Sequence, residues 1–405
     1  MSTSLESWID GQLRYSAAAL YRSISATGIV KERPGFGQTI RAAKGSVVAS
    51  PVLGAYDPEP DYFFHWFRDS AIVIDAVRVL FEMRIVGFAA LETLADFIRF
   101  SLSIEDCRVV RGNVTPEFRK YLRDDAELAG VTRETVAGET RVNPDGTLDI
   151  SKWARPQHDG PPLRALALMR WKRAATLDAG IDAELSRLLQ SDLDFTQRHW
   201  REPSFDVWEE ESGRHYYTLR VAAAALDDSG DRAGADDILR ELDALPEDLD
   251  IATILAVIHA GGEGVRHTVS DPRLQATLDK LDAAFIAAYP INQRRPADHG
   301  PALGRYVGDV YFDGGAWYVA TLGAAEFCFR TALGANDARS WIARGDAYLR
   351  TVRAFTPTSG ELSEQFDQTT GAQKSAKHLA WSYAAFITCV AARRAAVFAI
   401  RGRSV

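Results

Sequence analysis

Hydrophobic residues recur along most of the chain at the i, i+3, i+4 and i+7 spacing that places them on one face of an α-helix. This spacing, together with residues that begin and end helices, predicts about twelve helices. Asp159, for example, is expected to be a cap or a first-turn acid of the helix that follows it. The predicted helices span residues 4–25, 69–85, 87–106, 160–178, 182–199, 214–229, 232–244, 250–260, 272–288, 315–333, 337–355 and 378–401.

The connections between these helices alternate between short links and long polar segments rich in Gly, Pro, Asp and aromatic residues. This alternation is typical of paired helices whose long loops contain the functional residues. In one long segment, RVNPDGTLDI places a turn signal between β-prone residues and predicts a short strand pair. No Pro-rich linker or low-complexity stretch divides the chain, so we predict a single domain over residues 1–405. The long segments are 44–67, 107–158, 200–213, 289–314 and 356–377.

Composition and charge exclude several classes of partner. Hydrophobic residues make up 46% and charged residues 25% of the 405 residues, as in an ordinary globular protein. The net charge of −8 repels phosphate backbones, so we do not expect a nucleic-acid partner. The N-terminal segment lacks the basic and apolar regions of a signal peptide, and no run of about 18 apolar residues occurs. We therefore expect a cytoplasmic protein with no membrane span, and a monomer.

The cysteines show neither a disulfide framework nor a zinc pattern. The three cysteines are far apart and form no CxxC pair. Cys328 and Cys389 lie in apolar helical stretches and are expected to be buried thiols. The segment DGTLD, residues 145–149, is only faintly similar to a calcium loop and is better explained as a turn. We therefore expect no metal ion and no cofactor.

Aromatic residues and carboxylates concentrate in four clusters within the long loops. Each cluster lies before a predicted helix or at its start, so helices wound in the same sense would bring the clusters to one rim. Tryptophan and tyrosine can stack on the apolar faces of sugar rings, while Asp, Arg and Gln can bind the hydroxyl groups. Hydrolysis of a glycosidic bond also requires two carboxyl groups, one protonated and one ionised. The clusters are YFFHWFRDS (62–70), WARPQHDGP (153–161), SFDVWEE (204–210) and ELSEQFD (361–367).

Two of these clusters offer carboxyl groups in contrasting surroundings. Glu209 lies beside Trp208 and is followed by two further acids, and neighbouring negative charges and an aromatic wall favour a protonated carboxyl group. Glu364 lies in a polar loop between Ser363 and Gln365, which favours an ionised one. These surroundings are suitable, but they do not select Glu209 and Glu364 from the 55 acidic residues.

At these clusters the sequence resembles glycoside hydrolase family 15, the glucoamylase family, in the same order along most of the chain. WFRDSAIVIDAV is similar to the family's Trp-x-Arg-Asp segment, and WARPQHDGPPLRA to its Arg-Pro-Gln-x-Asp-Gly-Pro signature. SFDVWEEESGRHYYTLRVAAAAL resembles the Asp-Leu-Trp-Glu-Glu segment and its following helix. GRYVGDVYFDGGAWYVATLGAAE is similar to the Tyr-x-Gly-x-Pro-Trp region, and ELSEQFDQTTGAQKSAKHLAWSYAAF to the C-terminal Ser-Glu-Gln block.

The resemblance implies an all-α (α/α)6 barrel, in agreement with the helix count. It implies an inverting, exo-acting α-glucosidase that releases β-glucose from short α-1,4- or α-1,6-linked gluco-oligosaccharides. Glu209 matches the family's general acid and Glu364 its general base. The remaining matches are to residues that bind the terminal glucose or the next sugar, or that support the acid. They are Tyr62, Trp66, Arg68, Asp69, Trp153, Trp208, Glu210, Arg305, Trp317 and Trp381.

The chain departs from the family pattern at a few positions. Val207 replaces the usual Leu, Phe67 lies where a small polar residue is common, and Gly315 and Ala316 replace the usual residues before Trp317. We expect these departures to lie at the rim of the site and to affect linkage and leaving-group preference. No β-sandwich or starch-binding domain is recognisable, which favours short, imported oligosaccharides as substrates.

Other functions remain open on the same fold. A trehalase would use the same two carboxylates, and a non-catalytic sugar-binding domain would be expected to lack one of them. A phosphorylase would need a basic pocket near the base, for which Lys374 and Lys377 are candidates, although both are equally explained as solvated charges at a helix start. Arg68 and Asp69 are alternatively explained as a structural ion pair. The tryptophans at positions 66, 153, 317 and 381 are alternatively explained as core residues.

Overall fold

The computed structural model describes residues 4–54, 60–262 and 264–403, and most of its regular structure is helical. The helices in chain order are α1 (Leu5–Ser23), α2 (Phe67–Glu82), α3 (Ala89–Ile104), α4 (Asp125–Ala129), α5 (Gly160–Ala174), α6 (Ala179–His199), α7 (Tyr216–Ser229), α8 (Arg232–Ala244), α9 (Ala252–Ala260), α10 (Pro272–Ala288), α11 (Pro290–Gln293), α12 (Tyr318–Gly334), α13 (Ala338–Phe355) and α14 (Ala380–Arg403). Short 3-10 helices lie at Pro34–Phe36, Pro116–Tyr121, Val136–Gly138 and Tyr311–Asp313.

The strands are short, antiparallel and confined to the loops. The two-stranded pairs are β1 (Val30–Arg33) with β2 (Gln38–Arg41), β3 (His65–Trp66) with β4 (Arg141–Val142), and β5 (Ser204–Phe205) with β6 (Ser212–Gly213). A three-stranded sheet consists, in spatial order, of β7 (Ala316–Trp317), β8 (Gln365–Phe366) and β9 (Gln373–Lys374).

Each of the twelve predicted helices is present, with ends shifted by a few residues. The turn predicted in RVNPDGTLDI is also confirmed, because Val142 forms an antiparallel bridge with Leu148, and Gly146 occupies the turn with a φ of 84°. The sequence did not predict the β1–β2 pair or the short helices α4 and α11. Asp159 occupies the cap position before α5, but its side chain makes no capping bond to the helix.

Within the described residues the chain forms two compact units. The first unit comprises residues 21–54 and 61–243, and its helix α5 contacts α2, α6 and α7. Helices α2 and α5 are buried on nearly all sides, so almost every residue of each helix packs against a neighbour. The N-terminus of α2 therefore holds Arg68 and Asp69 inside the unit. Whether the units form one domain stays a prediction.

The second unit comprises residues 4–20, Pro60, 244–262 and 264–403. Its most buried helix is α12, which contacts α9, α13 and α14. Helix α1 packs on α14 through Trp8 and Phe386, whose ring centroids lie 5.5 Å apart. Cys328 and Cys389 are buried in this unit, as predicted. The strand pair β7–β8 leads directly into α12 and so fixes the backbone around Trp317.

One helix of the described chain, Ala380–Arg401, has the length and mean hydropathy, 1.5, of a membrane span by composition alone. About half of that stretch, 44%, is buried inside the protein, where α14 packs against α12 and α13. An apolar helix at the core of a protein has the same composition, so the hydropathy of α14 is explained by its packing.

Candidate active site

The hairpin formed by β5 and β6 presents Glu209 at its tip. The loop between the strands is closed by Asp206, whose backbone oxygen accepts a hydrogen bond from the Glu209 N–H at 3.1 Å and whose carboxylate accepts one from the Glu210 N–H at 2.7 Å. Gln157 fixes the same loop by donating to the Asp206 carbonyl at 2.7 Å. Glu209 itself has a φ of 67°, in the left-handed region that non-glycine residues rarely adopt. Such strain is typical of residues held in place for function.

The carboxyl group of Glu209 is bound by three N–H donors. The indole of Trp66 and the guanidinium of Arg68 donate to Oε1 at 2.8 and 3.0 Å. The indole of Trp153 donates to Oε2. The Glu209 side chain is only 11% exposed, so the orientation of its carboxyl group is set by these donors rather than by solvent. Three of the predicted site residues are thus brought together with Glu209.

Arg68 links Glu209 to two further carboxylates. Its guanidinium lies 3.2 Å from Asp69 and 3.4 Å from Asp159, and all three side chains are buried. Burial alone would lower the pKa of Arg68, but the three carboxylates around it raise the pKa well above its usual value. Burial raises the pKa of Asp159 to about 7 and also raises the pKa of Asp69. The structural ion pair of Arg68 with Asp69 is therefore present within the same cluster.

The other predicted residues of the first unit surround this cluster to different degrees. Tyr62 contacts Trp66 with a ring-centroid distance of 5.2 Å. Trp153 is 39% exposed and so presents a partly open aromatic surface. Trp208 is buried beside the hairpin loop, whereas the side chain of Glu210 is exposed. Trp66 is buried as well. It therefore packs as a core residue and also binds Glu209 through its indole N–H.

In the second unit, the three-stranded sheet positions Glu364 directly before β8. The Glu364 N–H donates to the Ala376 carbonyl at 2.8 Å, and the Tyr318 N–H donates to the Glu364 carbonyl at 3.2 Å. The hydroxyl group of Ser375 donates to Oε2 of the Glu364 carboxylate, which is buried. A hydroxyl donor stabilises the ionised form of a carboxyl group. Both the backbone and the side chain of Glu364 are therefore held in a defined orientation.

Arg305 is fixed by Asp309, four residues later. The two side chains form a bidentate pair with N–O distances of 2.8 and 2.5 Å, and both are buried. The Arg305 guanidinium also lies 5.3 Å from the ring centroid of Trp317. Trp381 is buried, with its ring centroid 6.0 Å from that of His259. Arg305 and Trp317 are thus brought together, as expected for neighbours in one site.

A cavity of about 590 Å³ lies within the second unit. Its wall includes Ser375, whose hydroxyl group donates to Glu364. The cavity is therefore separated from the predicted base by one hydrogen-bonded residue at this point. Lys374 lies 3.3 Å from Asp367 and 3.5 Å from Asp313, so neighbouring carboxylates balance its charge. The lining consists of one aromatic and several polar residues, namely Phe312, Asp313, Glu361, Gln373, Lys374, Ser375, Lys377 and His378.

The departures from the family pattern lie in closely packed surroundings. Phe67, Gly315 and Ala316 are all buried. Phe67 belongs to a hydrophobic cluster with Phe36 and packs so closely on Gly160 that a Cβ atom there would lie 2.5 Å from the Phe67 Cβ. A Cβ atom on Gly315 would lie 2.5 Å from the side-chain oxygen of Gln365. Their placement at the rim of the site stays a prediction.

Sequence reasoning missed four residues that support the site. Asp206 precedes Glu209 by three residues, a spacing typical of a carboxylate that binds turn N–H groups. Asp309 follows Arg305 at the i, i+4 spacing of an ion pair. Asp159 lies inside the WARPQHDGP segment, but its position before a helix indicates a cap or first-turn acid and not a partner of Arg68. Ser375 is eleven residues from Glu364, and nothing in the sequence pattern indicated their contact.

Known proteins resemble this chain in sequence and in fold. The family model described as "Glycosyl hydrolases family 15" matches residues 20–244, 237–345 and 342–391. The intracellular sporulation-specific glucoamylase of Saccharomyces cerevisiae is 27% identical, over 95% of this chain and 83% of that protein. A glucoamylase of Blastobotrys adeninivorans is 25% identical, over 97% of this chain and 72% of that protein. The glucoamylase structure from Hormoconis resinae matches with a TM-score of 0.76 and 26% identity, covering 97% of this chain and 74% of that chain.

The helical fold, the carboxylate-bearing loops and these relatives define a glycoside hydrolase of the glucoamylase type. More particularly, the chain belongs to glycoside hydrolase family 15. The predicted all-α fold of the (α/α)6 type is confirmed by the helices and by the match to solved glucoamylases. An oligosaccharide substrate follows from membership of the family.

Proposed function

We propose that this enzyme is an inverting, exo-acting α-glucosidase that releases β-glucose from the non-reducing end of short α-1,4- or α-1,6-linked gluco-oligosaccharides. The observation that supports the proposal most strongly is the environment of Glu209. A carboxyl group on a strained hairpin loop, bound by Trp66, Trp153 and Arg68, is held in one fixed direction, and the same donors stabilise the carboxylate that remains after proton transfer. General acid catalysis requires that geometry.

Glu209 acts as the general acid in this proposal. Its Oε1 already accepts two hydrogen bonds, whereas Oε2 accepts one from Trp153, so Oε2 is the better position for the proton. As the bond between C1 and the glycosidic oxygen breaks, that proton moves to the leaving oxygen. The carboxylate that remains is stabilised at once by the N–H donors that already surround it.

Glu364 acts as the general base. It removes one proton from a water molecule whose oxygen attacks C1 on the face opposite the leaving oxygen. One C–O bond forms as the other breaks, so an α-linked sugar yields β-glucose. The Ser375 hydroxyl group supports this role, because it favours the ionised carboxylate and fixes its direction.

The substrate contacts follow from the same assignment. Arg68 and Asp69 bind hydroxyl groups of the terminal glucose, and Tyr62, Trp66 and Trp381 stack on its ring or enclose it. Five residues are assigned to the next sugar or to the support of the acid, namely Trp153, Trp208, Glu210, Arg305 and Trp317.

The experiment that tests the reaction combines two variants with product analysis. Glu209→Gln and Glu364→Gln should each lower kcat by about a thousandfold or more while the circular dichroism spectrum is unchanged. The wild-type enzyme should produce β-glucose first, which NMR spectroscopy can follow as the anomer forms. Full activity of either variant, or α-glucose as the first product, would sink the assignment. Glu210→Gln is the matched control for the hairpin and should retain far more activity than Glu209→Gln.

A substrate panel separates the alternatives. Maltose, isomaltose, maltotriose and trehalose should show hydrolysis of the first three and little of trehalose. Addition of phosphate should yield no glucose 1-phosphate, because Lys374 is paired with Asp313 and Asp367 and therefore offers a poor phosphate site. Trehalose as the best substrate would instead favour the trehalase.

We extend the proposal to a monomer that acts in the cytoplasm on imported sugars. The Saccharomyces cerevisiae relative is an intracellular glucoamylase, which supports this location. Size-exclusion chromatography with light scattering should give the mass of one chain, 44.6 kDa. Cell fractionation should recover the enzyme with cytosolic markers.

A further inference from the structure

Arg141 contacts both of the tryptophans that bind Glu209. Its guanidinium carbon lies 3.7 Å from the ring centroid of Trp153 and 4.8 Å from that of Trp66. These distances are typical of a cation–π interaction. Trp66 and Trp153 donate to different oxygens of the Glu209 carboxyl group. One buried cation therefore touches the rings of both indole donors.

The guanidinium of Arg141 is itself held rigidly. Asp149 accepts a hydrogen bond from its Nε at 2.9 Å, and Ser151 accepts one from Nη2 at 3.3 Å. Arg155 donates to the same Asp149 oxygen at 2.9 Å and so fixes the carboxylate. Arg141 is 1% exposed, and its backbone pairs with that of Trp66 in the β3–β4 ladder. The cation is therefore anchored at both its side chain and its main chain.

A cation on the face of an indole constrains the plane of the ring. Because the indole N–H lies in that plane, a change of ring tilt redirects the hydrogen bond away from its acceptor. The positive charge also draws electron density from the ring, which strengthens the N–H as a donor. Both effects matter most when Glu209 has lost its proton and its carboxylate needs donors in place.

We propose that Arg141 is a positioning residue for the general acid, acting on Glu209 through the rings of Trp66 and Trp153. The inference rests on the proposed function of Glu209. Arg141 neither donates a proton nor binds the substrate in this role. It keeps two N–H donors aimed at the carboxyl group through the transfer of the proton.

A structural role for the ion pair of Arg141 and Asp149 predicts something different. Loss of a merely structural pair would lower stability and would reduce the turnover of all substrates alike. Loss of a residue that positions the general acid would instead lower kcat most for the substrate whose leaving group depends most on proton donation. Two substrates with the same glucosyl group and different leaving groups therefore separate the two roles.

The experiment compares maltose with α-D-glucosyl fluoride, whose fluoride leaving group depends much less on proton donation. Arg141→Met should lower kcat on maltose by about tenfold or more and kcat on the fluoride by less than about threefold. Arg141→Lys retains a cation but not the planar group, so it should show the same split to a smaller degree. Circular dichroism verifies the fold of each variant.

Arg164→Met is the matched control, since Arg164 is a buried arginine of the same unit that pairs with Asp192. It should lower stability without separating the two substrates. If Arg141→Met fails to fold, Asp149→Asn releases the guanidinium while leaving the cation in place, and the same split is expected. Equal losses on maltose and fluoride in the folded variants would overturn the inference.

The Glu209→Gln variant distinguishes this outcome from failure of the proposed function. If Glu209→Gln shows the substrate split and the Arg141 variants do not, only the role of Arg141 is wrong. If Glu209→Gln loses the two activities equally, Glu209 is not the acid, and the inference falls with the proposed function.

Discussion

The guanidinium of Arg68 lies 3.4 Å from the carboxyl group of Asp159, and both side chains are buried. Burial, opposed by the attraction of Arg68, raises the pKa of Asp159 from 3.8 to about 7. The folded protein therefore keeps a proton on Asp159 at pH values at which the unfolded chain has lost it. The free energy of unfolding should fall, through this group, as the pH rises from about 4 to about 7.

Asp159→Asn removes this titration while retaining the shape of the side chain. Relative to the wild type, the variant should show a flatter dependence of the free energy of unfolding on pH between 4 and 7, by up to a few kcal/mol. Urea denaturation at several pH values measures the slope. Asp228→Asn, at the half-exposed ion pair with Arg173, serves as the control and should leave the slope unchanged. Parallel curves for wild type and Asp159→Asn would contradict the prediction.

His158, the residue before Asp159, should affect stability at acid pH in the opposite direction. Burial lowers the pKa of His158 from 6.5 to about 4, and the neighbouring His199 acts in the same direction. The unfolded chain then binds a proton that the folded protein excludes, so stability is lost as the pH falls from about 6.5 to about 4. His158→Gln should reduce this loss in thermal unfolding, whereas His299→Gln, at a surface pair with Asp298, should not. Equal acid sensitivity of His158→Gln and wild type would refute this role.

The helices could be predicted because their buried faces are built from apolar residues at a regular spacing. The hairpin β1–β2 could not, because its buried positions are partly charged. Lys31 and Arg33 point inward and bind Asp61. The buried positions of β1 are therefore charged, whereas a typical strand has apolar residues at its buried positions. The pattern of apolar and polar residues in such a strand is typical of a polar loop.

The sequence motifs predict the site residues themselves. The residues that hold them in place are recognisable only in the structure. Trp66 and Glu209 are 143 positions apart, and only the fold brings their side chains together. Arg141 lies outside the segments that resemble the family, in RVNPDGTLDI, which predicts only a turn and a short strand pair, and its contact with Trp153 depends on the β3–β4 pairing. Contacts between residues distant in sequence leave no local signal, so the residues that support Glu209 are recognisable only in the folded structure.

Breaking the buried ion pair of Arg164 and Asp192 should destabilise the first unit more than breaking an exposed pair. Both side chains are buried, and two hydrogen bonds of 2.7 and 2.8 Å join them. Asp192→Ala leaves the guanidinium charged and unpaired, which should cost about 3–5 kcal/mol of unfolding free energy. Glu184→Ala, which breaks an exposed pair with Arg99, should cost less than about 1 kcal/mol.

A double variant tests whether the cost arises from the unpaired charge. Arg164→Met combined with Asp192→Leu should recover much of the stability lost by Asp192→Ala, because no buried charge remains. Chemical denaturation of the wild type, Arg164→Met, Asp192→Leu and the double variant gives the coupling energy of the pair. A double variant that is less stable than Asp192→Ala would show that packing, and not charge, explains the loss.

The contact of Ser375 with Glu364 predicts a change in the pH profile of the reaction. The Ser375 hydroxyl group donates to the carboxylate and stabilises its ionised form. Removal of the donor should lower kcat by about tenfold and move the acidic limb of kcat/KM to higher pH, since ionisation of the base then requires a higher pH. Initial rates on maltose across the acidic range measure both effects.

The backbone at Ser375 supplies the control for this prediction. Ser375 has a φ of 62°, a conformation that glycine adopts without strain and alanine does not. Ser375→Ala therefore removes the hydroxyl group and retains the strain, whereas Ser375→Gly removes the hydroxymethyl group and relieves the strain. The two variants should share the shift of the acidic limb, because both lack the donor, and Ser375→Gly should be the more stable. A shift seen only in Ser375→Ala would trace the effect to the backbone and would exclude a role of the hydroxyl group in holding Glu364.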